Sequence, residues 1–238
     1  ADASFVDSDF PMLTEAEEKS MLAEQVPEHL GILPLKNTVL YPGVVIPITV
    51  GRDKSIALVK EAYATKERLV GVIAQRNMHI EDPEPTDLHR FGTMARILKL
   101  IRMPDGSITI VIQGRARFEV VDFVQEDPYF KAHVLKLQEE YPTKKEAQAL
   151  MRSLKRQAQQ IIEISPNIPT EAQVVLQNIS GLTFLVYFIV SNLNLEVTEK
   201  QQVLEMNSLL LKGQQVLGHM GKELAILELS EQIHSKVR

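Results

Sequence analysis

Histidine is the side chain best suited to hold a metal or move a proton near neutral pH, and the chain has six: His29, His79, His89, His133, His219 and His234. No His-Glu-x-x-His pair occurs among them, so nothing sets two imidazoles on one helical face around zinc. Each reads as a surface or interface residue. Cysteine is absent, which removes disulfides and thiolate metal sites. Serine offers no Gly-x-Ser-x-Gly elbow, and Ser235-Lys236 are adjacent on an expected helix, where neighbours point in different directions and cannot form a dyad. Lys54-Ser55 follow Asp53 rather than a glycine, so no phosphate-cradling loop is present. Carboxylates are abundant, but no pair sits in an apolar setting that would drive two pKa values apart for acid and base work. The residues support no catalytic, cofactor-binding or metal-binding assignment, and the expectation is a binding protein rather than an enzyme.

Binding chemistry is better represented. Arg115 and Arg117 stand two apart in Gln113-Gly114-Arg115-Ala116-Arg117-Phe118, on an expected strand, which aims both guanidiniums at one face. That face is either an anion or partner site or a solvated surface balanced by Glu119 and Asp122. Tyr41-Pro42-Gly43-Val44-Val45-Ile46-Pro47 gathers large or rigid apolar residues where a loop would ordinarily be polar. Two readings stand: a lid over the core, or an exposed patch that grips extended apolar polypeptide. Alternation turns Val44 and Ile46 inward and leaves Tyr41, Pro42 and Val45 more exposed.

The elements that must position these residues change in kind along the chain. Ten of the twelve prolines precede residue 143. Before it, short runs rich in Val and Ile, bounded by Gly, Pro and Asp, predict strands at 39–40, 44–50, 69–74, 93–101, 107–113, 116–124 and 131–138. Met103-Pro104-Asp105-Gly106 predicts a hairpin turn, with proline presetting one φ and Asp-Gly supplying a positive one. One helix interrupts the strands, with Asp53 as N-cap and Ile56, Val59, Lys60 and Tyr63 three or four apart.

From Thr143 the period is helical. Thr143 with Glu146, Thr170 with Gln173 and Thr198 with Gln201 predict three capping boxes. Ala147, Leu150, Met151, Leu154, Ala158, Ile161 and Ile162 form one apolar stripe, which Ser165-Pro166-Asn167-Ile168-Pro169 ends. Residues 182–192 are apolar on nearly all sides, which predicts the central helix of a small bundle. Residues 214–238 predict a last helix whose apolar seam drifts from Leu217, Met220, Leu224 and Leu227 to Ile226, Leu229, Ile233 and Val237. Leu217, Leu224, Leu227 and Ile233 are the expected oligomer or interdomain contacts, on a helix expected to continue toward something else. Gly213, Gly218 and Gly221 predict bending or fraying near Gly218, since each interior glycine costs about 1 kcal/mol relative to alanine.

The 238 residues are 45% hydrophobic and 24% charged, which excludes wholesale disorder, and no run approaches the ~18 apolar residues of a membrane span. A net charge of −5 gives no global attraction to nucleic acid or an anionic membrane, and neither partner is expected. That charge lies in residues 1–30, where eight acids face Lys19 alone, so this segment reads as an acidic, flexible leader. Residues 31–142 and 143–238 each sum to +1.

Several of these segments, in order, carry a resemblance: Leu33-Pro34-Leu35, Val39-Leu40-Tyr41-Pro42-Gly43, Ile46-Pro47, Val50-Gly51-Arg52 with Lys54-Ser55-Ile56, Ala74-Gln75-Arg76, Gly92-Thr93, Met103-Pro104-Asp105-Gly106 and Gln113 to Phe118. Their set resembles the amino-terminal, substrate-recruiting domain of the Lon family of ATP-dependent proteases. Asn192-Leu193-Asn194-Leu195 and Glu199-Lys200-Gln201 extend the likeness into the helical half. The resemblance implies an α+β fold: a β-rich pseudo-barrel of the PUA-like, Lon N-terminal type over 31–142, also found in cereblon, then a helical bundle over 143–213 and a long helix from 214 to 238. It implies a non-catalytic part of a cytoplasmic bacterial protease, with ATP and Mg held by domains other than these and a hexamer as the full-length assembly. Unfolded or damaged polypeptides would be the partners, met by Tyr41, Pro42, Val44, Val45, Pro47, Met103 and Pro104, and passed to the ATPase domains of the parent chain. The alternatives are a module that spaces and joins subunits, and a stand-alone cereblon-like ligand or regulatory domain.

Overall fold

The computed structural model describes residues 14–165 and 168–237. Asp2, Asp7 and Asp9 of the expected leader, and Pro166 and Asn167 of the expected helix stop, lie outside the described residues. From the N-terminus come α1 (Glu15–Leu22), β1 (His29–Leu35), β2 (Val45–Val50), α2 (Asp53–Ala64) and β3 (Leu69–Ala74). After a 3-10 turn at Pro85–Asp87 come β4 (Phe91–Arg102), β5 (Ile108–Gln125) and β6 (Lys131–Lys136). Helices α3 (Lys144–Ile164), α4 (Thr170–Asn178), α5 (Leu182–Asn192), α6 (Val197–Glu205) and α7 (Leu209–Lys236) follow. The described residues form two compact units: a β-rich one of Lys19–Gln138 with Glu196–Glu205, and a helical one of Glu139–Leu195 with residues 14–18 and 206–237.

In the β-rich unit the strand order is β2-β5-β4-β3-β1-β6, and β6 pairs again with β5, so five strands close into a barrel and β2 stays outside the closure. Strands β1 and β3 are parallel and the other pairs antiparallel. Strand β5 spans the whole: Ile108 to Gln113 pair with β2 and Phe118 to Gln125 with β6. Opposite β4, Met94 faces Ala116 while Ala95 faces Gly114, which makes Arg115 the extra residue of a bulge. The extra residue exchanges the faces. Ile108, Ile110 and Ile112 join Leu58 and Val59 of α2 in one apolar cluster, and Ala116, Phe118 and Val120 join Ile32, Met94 and Ala132 in the other. The sequence read 107–113 and 116–124 as two strands because the alternation breaks there; the backbone runs on through the break.

Other expectations shift as well. Strand β1 was not predicted, and residues 39–40 are not a strand. Helix α2 begins at Asp53 with Arg52 as N-cap and no side-chain cap, so Asp53 is a first-turn acid rather than the cap. The expected leader is structured from Thr14 onward. Lys136 Nζ donates to the carbonyls of Leu22 at 2.7 Å and Glu24 at 2.6 Å, which anchors the chain entering β1.

In the helical unit, Thr143 caps α3 by accepting from the Glu146 N–H at 3.2 Å, as expected. The other two boxes do not form. Thr170 is the first helical residue behind Pro169, and Thr198 lies inside α6. That helix belongs to the β-rich unit, not to the bundle in which the sequence placed it. Helix α5 is buried on nearly every side and packs against α3, α4 and α7, the central position its composition predicts. Its N-terminus is covered by Glu18, whose carboxylate accepts from Thr183 N–H at 3.3 Å and Phe184 N–H at 3.2 Å. Helix α7 starts at Leu209, capped by Ser208, and runs unbroken through Gly218 and Gly221 for 28 residues, so the expected fraying is absent. At Gly213 a Cβ would come 2.5 Å from Leu150 Cδ2, so glycine there permits the close approach of α3 and α7. No helix among the described residues is long and apolar enough to cross a membrane.

Candidate functional site

Three strands, β2, β5 and β4, lie side by side at the edge of the barrel and present two faces. Val44, Ile46 and Ile48 pack on the core cluster with Ile110 and Ile112. Alternation therefore turns Val45, Pro47 and Thr49 to the opposite face. The register sets Pro47 beside Val111, and Val111 beside Lys99, with Ile101 next along the same face of β4. The hairpin tip follows directly: Met103 N–H donates to the Ser107 carbonyl at 2.9 Å, and Gly106 takes φ of 88°. The Asp105 carboxylate accepts from Ser107 N–H at 2.9 Å and its hydroxyl at 2.6 Å, which holds it below the usual carboxylate range and fixes the turn. Met103 is 41% exposed, and Pro104 and Pro47 are exposed. The result is a row of apolar side chains, Val45, Pro47, Val111, Ile101 and Met103, interleaved with Thr49, Lys99 and Thr109 on one outer face. Ile101 and Val111 were not singled out in the sequence; the hairpin and the alternation of 107–113 together place them on this face.

Two residues expected on this surface are elsewhere. Tyr41 is 0% exposed, and its hydroxyl donates to the Lys200 carbonyl of α6 at 2.8 Å. Burial pushes its phenol well above the ordinary value. Pro42 is buried too, because the Tyr41-Pro42 backbone lies against Gly114, where a Cβ would stand 2.1 Å from the Tyr41 carbonyl oxygen. Tyr41 and Pro42, expected to be the more exposed residues of the loop, therefore present no exposed surface in this fold, while Val44 and Val45 are half-buried. Tyr41 to Gly43 are buried, in keeping with a lid over the core, while Val45 and Pro47 turn to the outer face.

The paired arginines are corrected as well. Arg117 is 2% exposed and donates to the Leu204 carbonyl at 2.8 Å and the Gln138 carbonyl at 3.2 Å. Arg115, on the bulge, donates to the Glu24 carboxylate and, at 2.8 Å, to Gln113 Oε1. Neither side chain forms a solvated face or an anion site. With Tyr41 and Gln201, whose amide donates to the Phe91 carbonyl at 3.0 Å, Arg117 pins α6 to the barrel.

On α7, Leu217, Leu224 and Leu227 are half-buried, and Ile233 is exposed in a row with Ile226 and Leu229. Among the described residues no group of three or more His, Asp or Glu is arranged to hold a metal. The outer face offers apolar contact and shape.

Residues 29–222 match the family described as the ATP-dependent protease La (LON) substrate-binding domain. Among curated proteins, the Lon protease of Flavobacterium johnsoniae is 46% identical over 230 residues, which cover 96% of this chain and 28% of that protein. Lon protease 2 of Myxococcus xanthus is 40% identical over 216 residues, covering 90% and 26% respectively. The chain thus spans little more than a quarter of the length of these relatives. The N-terminal domain of a Mycobacterium avium complex Lon protease superposes with a TM-score of 0.64 at 19% identity, over 81% of this chain and 98% of that one. A Lon N-terminal domain protein from Xanthomonas campestris superposes with a TM-score of 0.57 at 18% identity, over 80% of this chain and 97% of that one. At those identities the structural likeness is one of fold.

Proposed function

The chain belongs to the Lon substrate-binding domain family, and on that premise we propose that it recruits unfolded or damaged polypeptide for an ATP-dependent, Lon-type serine protease in the bacterial cytoplasm. The observation that carries the reading is the apolar row from Val45 and Pro47 to Met103, on the face of β2-β5-β4 turned away from the core. Extended apolar segments are available only in an unfolded client, so contact with them selects damage without reading a defined sequence. Side chains, rather than added strand pairing, carry the contact. Gly114 N–H donates to the Val44 carbonyl at 2.9 Å, so the even residues of β2 face β5 and the odd ones face the free edge, where Pro47 has no N–H to give. Weak contact suffices, because several copies around a hexameric ring raise the effective concentration of sites.

An NMR titration of the full chain with an unfolded client should shift Val45, Val111 and Met103. Shifts confined to α7 or to residues 1–30 would overturn the proposal. A second reading, in which the domain spaces and joins subunits, is favoured by Ile226, Leu229 and Ile233, exposed at 64%, 58% and 54% along α7. Replacing all three by Lys abolishes self-association in sedimentation under that reading and leaves client shifts unchanged under the first.

A further inference from the structure

A cavity of about 490 Å³ opens in the β-rich unit beside the N-terminal end of α2, and it shares no residue with the apolar row. Its volume is in the range of small-ligand sites. Three kinds of donor line it, two with no acceptor among the described residues and the third with long bonds only. The first is the backbone: the N–H groups of Asp53, Lys54 and Ser55 form the opening turn of a 12-residue helix, and Arg52, the N-cap, can only donate. The second is Ser55, which lies on the buried face of α2 with Leu58, Val59 and Ala62 and is 6% exposed. Ser55 lines the cavity, and its hydroxyl makes no hydrogen bond to any described residue. The third is Arg52, half-buried in the wall. It donates only long bonds, to the Glu81 carbonyl at 3.3 Å and the Pro34 carbonyl at 3.4 Å, and among the described residues no carboxylate reaches ion-pair distance of it. Burial lowers its pKa, while Asp82 and Glu81 act on it only from farther away.

Convergent donors ask for an oxyanion, and the rest of the lining narrows its class. Asp53 and Asp82 stand in the same wall, and the Glu81 carboxylate is held by Lys36 Nζ at 2.5 Å. Lys54 is turned to Asp127, at 3.4 Å, and to the Phe130 ring. With acids this near, a phosphate dianion is repelled and a single negative charge is tolerated. Ile32, Pro34, Tyr129 and Phe130 supply apolar walls. We infer that this cavity takes a carboxylate carried on an apolar body, and that its source is the free C-terminus of a client chain ending in an apolar residue, captured on the α2 N-terminus, Ser55 and Arg52. The choice of a client terminus as the source rests on the recruiting function; the carboxylate chemistry does not.

The test is fluorescence anisotropy on the full chain with one labelled, unstructured peptide ending in Leu, as free acid and as C-terminal amide. The free acid should bind at least tenfold more tightly. Ser55→Ala should weaken the acid several-fold and leave the amide unchanged, and Arg52→Gln should equalise the two. Because Arg52 also holds backbone, Gly51→Leu serves as a second variant: Gly51 lines the cavity and a Cβ there meets no atom within 4 Å, so the fold accepts the change, and the larger side chain should reduce the preference for the acid. Equal binding of acid and amide by the wild type overturns the carboxylate site and leaves recruitment standing. N-acetyl-leucine binding as tightly as the peptide overturns the client terminus as source. A Val45→Asp variant that keeps general client binding would count against the apolar row alone, since the acid-to-amide ratio is measured separately.

Discussion

Lys212 is wholly buried, with its ammonium 3.2 Å from the Glu139 carboxylate and 4.5 Å from the centre of the Tyr187 ring. Tyr187 hydrogen-bonds both partners, so one charged cluster sits inside the helical unit. Lys212→Met leaves the Glu139 carboxylate buried without its cation, and urea denaturation should show a loss of about 3–5 kcal/mol. The double variant Lys212→Met, Glu139→Leu should recover most of it, because neither charge is then stranded. Glu18 predicts a pH effect of definite sign. Desolvation raises its pKa above the ordinary 4.5 despite the two N–H groups of α5, and the nearby Glu15 adds to the rise. The native state therefore keeps the proton over a window in which the unfolded chain has lost it, so this contribution is fully present below about pH 4.5 and declines as pH rises through the folded value. Glu18→Gln lacks that decline, and its stability relative to wild type should improve between about pH 4 and pH 7. A constant difference across that range would refute the assignment.

The glycines of α7 separate packing from propensity. Gly213→Val drives a branched side chain into Leu150 and should cost about 1–3 kcal/mol as α3 and α7 are pushed apart. Gly218→Ala and Gly221→Ala meet no atom within 4 Å and should each stabilise the protein by about 0.5–1 kcal/mol, read as a higher thermal midpoint. What the sequence revealed of the elements follows the reach of the signal. β3 and α5 were legible to the residue because an unbroken aliphatic run, bounded by turn residues, carries its own ends. Thr170 and Thr198 failed as caps because a capping box is a local pattern, whereas the start of a helix is set by what precedes it, here Pro169 and Glu196. The bulge at Arg115 was invisible, since period-two reasoning takes a broken alternation for a strand end. Tyr41 misled for a different reason: a phenol in a Pro-Gly loop looks exposed until a carbonyl 159 residues away is there to accept its hydrogen bond.

At the scale of the molecule, the β-rich unit is not one stretch of chain. Its barrel residues Tyr41, Phe91 and Arg117 meet their partners on α6, which arrives only after α3, α4 and α5 have been built into the other unit. A fragment of residues 31–142 lacks that helix and deprives the Arg117 guanidinium of the Leu204 carbonyl. It should melt without a cooperative transition in circular dichroism, whereas the same fragment mixed with a peptide of residues 196–205 should regain one. A sharp, peptide-independent transition would show that α6 is dispensable. The same dependence sets a clock on synthesis. Lys136 ends β6 and Glu205 ends α6, and at roughly 5–20 residues per second the ribosome needs several seconds to deliver the second after the first. For that interval each nascent chain holds a barrel whose Arg117 still lacks one of its carbonyls, which makes the newborn protein itself, briefly, the kind of incompletely folded polypeptide that quality control exists to find.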